Sequence, residues 1–141
     1  MSKSLLQVVN QATQAVPAVT AGTTPAVLGL GTAIHGYGCN TRLSGNAIRI
    51  DGQGYCKVDA AITVAPTAVG SVVVALYNGS DQVDGAIATA TVATANDAVT
   101  VPINATIKQG CNCAGSSSLT LRVVDGVASN VTNIAVRVEK S

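Results

Sequence analysis

Four cysteines, one histidine and a scatter of acids are the side chains in this sequence with the means to do chemistry. The thiols are Cys39, Cys56, Cys111 and Cys113. Zinc knuckles separate paired cysteines by two or more residues, whereas Asn112 alone separates Cys111 from Cys113, and a single histidine is present to complete a ligand set. Three readings of the thiols are open: buried free cysteines, a disulfide, or a metal site shared between copies. His35 lies in Ile34-His-Gly-Tyr37 without a patterned nucleophile and acid, so no triad can be argued. Asp51, Asp59, Asp81, Asp84, Asp97, Asp125 and Glu139 stand singly. Asp81 and Asp84 with Asn78 fall short of the roughly six oxygens that calcium takes, and turn chemistry explains them better. The glycines at 29 and 31 are not followed by Gly-Lys-Ser/Thr, so no phosphate loop forms. The sequence implies no enzyme and no cofactor. Its function is expected in what its surface packs against.

Composition narrows the partners. The 141 residues fit one domain able to bury a real core. Hydrophobic residues make up 48% and aromatics 2%, with no Phe or Trp, so the core must be Val, Ile, Leu and Ala. Such a core favours closely packed sheets over roomy pockets. Charged residues are 11% and the net charge is +1, which argues against a nucleic-acid partner needing clustered Lys and Arg. The apolar runs are broken by Gly, Pro, Thr and Asn, and none approaches the roughly 20 residues of a membrane span. Gln7, Asn10, Gln11 and Gln14 interrupt any signal-peptide core, so none is expected. A surface this poor in charge is expected to be covered in part by neighbouring subunits.

The elements that must position these residues are mostly strands. Residues 4–16 are the exception. Leu5, Leu6, Val8, Val9, Ala12 and Val16, spaced by three and four, predict a short amphipathic helix ended by Pro17. From Ser4 to Thr41 no Asp, Glu, Lys or Arg occurs, so this stretch is expected to pack against something. Thr24 to Ile34 predicts a first strand, weakened by its glycines. Strands then follow near 47–51, 55–65, 71–78, 85–93, 98–108, 118–124 and 131–139. Asn78-Gly79, Asp84-Gly85, Gly110, Gly115 and Asp125-Gly126 are read as turns. In the second of these strands Cys56, Val58, Ala60, Ile62 and Val64 alternate with Lys57, Asp59, Ala61 and Thr63, one face buried and one not. Pro102 suggests an edge strand. Strand 71–78 is apolar on both faces, a further reason to expect a partner.

One succession of motifs resembles a known family. Ile50-Asp-Gly-Gln-Gly-Tyr-Cys-Lys-Val58 enters a long alternating strand. Val74-Ala-Leu-Tyr-Asn-Gly79, Val83-Asp-Gly-Ala86, Leu119-Thr-Leu-Arg-Val123 and Ile134-Ala-Val-Arg-Val-Glu139 follow it. Over about residues 25–140 the chain resembles the TNF/C1q-like jelly-roll domains of bacteriophage virion proteins and bacterial collagen-like surface proteins. It has no Gly-X-Y repeat. The resemblance implies an all-β sandwich of ten strands in two sheets, a compact homotrimer and no enzymatic activity. It implies a short helical or extended N-terminal arm, residues 1–22, ahead of a jelly roll at 23–141. Leu5, Leu6, Val8 and Val9 of that arm would grip the major capsid protein or another virion protein. The chain would then be a capsid decoration or head-fibre protein, assembled in the host cytoplasm and located in the virion. The alternative is a trimeric receptor- or glycan-binding module, for which Tyr37, Tyr55 and Tyr77 are the available stacking residues. The family's strand order implies that Cys56 lies near Cys111 or Cys113. It also implies that Lys57 faces Glu139 and Asp59 faces Arg137.

Overall fold

The computed structural model describes residues 4–38, 40–52, 54–109 and 116–140. These form two antiparallel sheets packed face to face, with no helix among the described residues. The strands are β1 (Ser4–Asn10), β2 (Gln14–Val16), β3 (Ala26–Val27), β4 (Thr32–Tyr37), β5 (Thr41–Ser44), β6 (Ala47–Asp51), β7 (Gly54–Pro66), β8 (Gly70–Asn78), β9 (Asp81–Val92), β10 (Val99–Gln109), β11 (Ser116–Gly126) and β12 (Ser129–Lys140). The first sheet runs β10-β7-β12-β1-β4, with β2 beside β12. The second runs β5-β6-β11-β8-β9, with β3 beside β11.

Alternation builds the core. Cys56, Val58, Ala60, Ile62 and Val64 are all buried from β7, as the period of two requires. Leu119, Leu121 and Val123 of β11 and Ile134, Val136 and Val138 of β12 join them. With no large aromatic ring the sheets close tightly. The void lined by Leu30, Ile48, Val58, Leu76, Leu119, Leu121 and Val136 measures ≈ 10 Å³, at or below the roughly 10–15 Å³ that one water needs. Pro102 sits on β10, at the edge of its sheet, where a missing N–H costs no ladder bond.

Three expectations need correction. Residues 4–16 are strands, not a helix. Leu6 and Val8 fit a period of two as well as one of three or four, and β12 and β4 offer β1 a ladder on both sides. Leu6 and Val8 thereby enter this chain's own core, at 4% and 0% exposure, while Leu5 and Val9 face outward, half-buried. The segment expected to grip a capsid is thus built into the sandwich, and Leu6 and Val8 are not free to anchor it elsewhere. Second, the single strand expected at 24–34 is split into β3 and β4. Gly31, at φ +78°, lies against β1 so closely that a Cβ would sit 2.2 Å from the Val9 carbonyl oxygen. Third, Asp84-Gly85 is not a turn. It lies within β9, where residues 83–86 bulge between the pairs Tyr77–Gln82 and Ala75–Ile87. Strand 71–78 is apolar on both faces, but Ala75 is fully buried within the chain, so it supplies less exposed apolar surface than expected.

Candidate functional site

The outward face of the first sheet gathers most of the residues singled out above, and the strand registers order them into rows. One row runs His35, Gln7, Arg137, Asp59, Asn104 from β4 to β10. The next runs Tyr37, Leu5, Glu139, Lys57, Thr106. Beyond them Tyr55 pairs with Lys108, whose ammonium lies 5.9 Å from the ring centre. In the opposite direction the rows lose all charge. Val9, Ala135, Ala61 and Pro102 form one, Asn133, Thr63 and Thr100 the next, and Asn130 and Ala65 the last. Thr63 and Thr100 share a hydroxyl–hydroxyl bond of 2.8 Å. Val9, Ala61, Thr63, Ala65, Asn130, Asn133 and Ala135 are each half-buried.

Lys57 is opposite Glu139 and Asp59 is opposite Arg137, as the strand order implied. The side chains nevertheless do not pair across the strands. Arg137 donates to Glu139 on its own strand. Lys57 and Asp59 have no side-chain hydrogen bond or ion pair among the described residues, and both line a cleft of ≈ 350 Å³. Its other walls are Asn104, Ala105 and Thr106 of β10 and Asp84 and Gly85 of the β9 bulge. The bulge exists because Gly85 adopts φ +78°, which pushes Asp84 out of the ladder and over the edge of β10. A smaller depression of ≈ 230 Å³ lies where the charged and uncharged rows meet, lined by Ala61 and Ala135 and by Gln7, Asp59 and Arg137.

Behind the charged end the core also changes character. Ser4, Lys140 and Cys56 form one inward row, and Thr41, Ile50 and Ser117 form another in the second sheet. All six are buried. The Asn40 N–H donates to Ser4 Oγ at 3.3 Å, and Thr41 Oγ1 has no partner among the described residues. Burial pushes the Cys56 thiol up from its ordinary value, against the pull of the Lys140 ammonium.

The structure thus brings together Lys57, Asp59, Arg137, Glu139, His35, Tyr37 and Tyr55 on one half of one face. Tyr77 lies elsewhere, stacked under Arg122 at 4.6 Å. Cys56 is a buried free thiol opposite Ile107. Cys39, Cys111 and Cys113 lie outside the described residues, and with them the expected thiol cluster. Asp84, Asn104 and Thr106 were not singled out as a group. The available signal was Gly85 inside a strand pattern, which marks a bulge as readily as a turn.

No family model and no curated protein matches this sequence. Solved structures do. The vertex protein P5 of the phage PRD1 aligns over 97% of this chain and 96% of its own, with TM-score 0.63 and 17% identity. The globular domain of zebrafish complement 1qA covers 99% and 96%, with TM-score 0.65 and 9% identity. Murine APRIL, at pH 5.0, covers 99% and 100%, with TM-score 0.64 and 10% identity. The chain has the TNF/C1q-like jelly-roll fold. The likeness spans the TNF-like sandwich from end to end, and at these identities it is a likeness of fold. Among the described residues, twelve strands stand where ten were expected; β2 and β3 are short strands lying beside the two main ladders.

Proposed function

We propose that this TNF-like chain is a structural protein of a phage virion, a homotrimer displayed at the capsid surface and packed through the uncharged half of its first sheet. The end-to-end likeness to a phage vertex protein, 97% of one chain on 96% of the other, carries the virion assignment. The trimer rests on the half-buried Val9, Ala61, Thr63, Ala65 and Ala135, which form a continuous uncharged surface across three strands. Small side chains on a sheet face let a second backbone approach closely, and excluding water from them favours association. The partner on the particle is the major capsid protein or another virion protein. No reaction and no cofactor belong to this function.

The virion assignment is tested by electron microscopy of particles of a phage that encodes the chain, labelled with antibody to it. Regularly spaced label on the particle surface is expected. Intact particles that carry none, while the chain accumulates free in the lysate, would refute it.

A further inference from the structure

We infer that the cleft between β10 and the β9 bulge is a saccharide-binding site, taking a hexose unit of a glycan. This goes beyond the virion role and holds whether or not the chain assembles, because the cleft lies at the charged end of the face.

Five polar side chains line the cleft: Lys57, Asp59, Asp84, Asn104 and Thr106. None of them makes a side-chain hydrogen bond or ion pair with another described residue. They present an ammonium, two carboxylates, an amide and a hydroxyl within one concavity. Its ≈ 350 Å³ falls at the small end of ligand pockets, about 300–1,000 Å³. This donor set discriminates among ligands. A phosphate would meet two carboxylates. A divalent cation would meet the Lys57 ammonium and only two carboxylates, and no group of three or more metal-ligating side chains occurs among the described residues. A polyol suits the set. Its hydroxyls donate to Asp59 and Asp84 in charge-assisted bonds and accept from Lys57 and the Asn104 amide. One row along β7, Tyr55 is 56% exposed, with the Lys108 ammonium over one face of its ring, and its other face is the one a further sugar of a chain would stack on.

The geometry is bought by the bulge. Four residues of β9 stand opposite Leu76 alone, and regular pairing would return Asp84 to the ladder and remove the wall. A Cβ at Gly85 meets nothing within 4 Å, so the glycine serves its positive φ rather than a close contact.

The test is amide chemical-shift mapping on the full nitrogen-labelled chain, titrated separately with D-glucose, D-galactose, D-mannose and N-acetyl-D-glucosamine to high millimolar concentration, and with calcium chloride alone. At least one sugar is expected to shift the amides of Lys57, Asp59, Asp84, Gly85 and Asn104 to Thr106 saturably. Asp84→Asn, which keeps an acceptor but loses its charge, and Asn104→Ala, which loses an amide donor, should each weaken that binding by about tenfold. The inference is overturned if no sugar gives a saturable shift there, if the shifts survive unchanged in both variants, or if calcium alone moves the same amides.

Discussion

The two ends of one sheet face behave as different surfaces, although the same strands β1, β7, β10 and β12 build both. At one end Ala61, Ala65, Thr63, Ala135 and Val9 leave a half-buried surface without a charge. At the other, Lys57, Asp59, Arg137, Glu139 and His35 crowd two adjacent rows, and the β9 bulge adds a polar cleft. Most of the buried polar groups lie behind the charged end, where Ser4, Lys140, Cys56, Thr41 and Ser117 gather, while Ser129 is buried at the uncharged end. A strand's alternation fixes which residues face out but not what they are. That leaves each end of the face free to take a separate task. The uncharged end suits permanent burial against another copy, and the charged end suits contact with water and polar ligands.

The comparison breaks most visibly if charge is placed on the wrong half. Ala61→Arg, outward and opposite Ala135, puts an unpaired guanidinium into the proposed contact, a penalty of about 3–5 kcal/mol for a buried charge without its partner. Light scattering should show the trimer reduced to monomer with the circular-dichroism spectrum unchanged. Thr106→Arg, at the charged end of β10, should leave the mass as it was.

Next in size are two glycines with the same φ of +78°. Gly31→Ala forces a Cβ to within 2.2 Å of the Val9 carbonyl oxygen, so β1 and β4 must part; a loss of about 3 kcal/mol is expected in urea unfolding. Gly85→Ala meets no neighbour and should cost only the left-handed backbone, about 1–2 kcal/mol. Equal losses would mean that the bulge is as tightly packed as the β1–β4 seam.

Smaller still is the effect of charge beside the Arg137–Glu139 pair. Arg137 and Glu139 expose 53% and 45% of their side chains, and Asp59 pairs with neither in the monomer. Asp59→Arg should therefore change stability by less than about 1 kcal/mol and leave the trimer intact. Loss of assembly in that variant, restored by the added change Arg137→Asp, would show instead that the charged rows are buried between copies.

The smallest effect is one of pH. The Cys56 thiol is raised in the folded state by burial, with Lys140 opposing, so unfolding releases its proton more readily. Its contribution is fully present below the unfolded thiol's ordinary range near 8.5 and is lost as pH climbs through the raised folded value. The melting temperature should drop more steeply with alkaline pH in the native chain than in Cys56→Ala.

The alternation of β7, β10, β11 and β12 could be read directly because a strand with one buried face needs every second residue apolar. The registers followed from the resemblance: Lys57 opposite Glu139, Asp59 opposite Arg137, and Cys56 opposite the end of β10. The N-terminal segment misled because Leu5-Leu6-Gln7-Val8-Val9 fits both periods, and only the flanking β4 and β12 decide between them. The cleft was illegible for a related reason. Asp84 reaches Asn104 and Thr106 across twenty residues of sequence through a bulge whose local signal, Asp-Gly, is that of a turn. The charge rows were visible, but the preference of Arg137 for Glu139 over Asp59 is a matter of side-chain reach that a register does not specify.

The central claim is that the uncharged half of the first sheet joins three copies, and the mass of the native chain in solution addresses it most directly. Light scattering at micromolar concentration should return three times the 14.0 kDa chain mass. A stable particle of 14.0 kDa would contradict it.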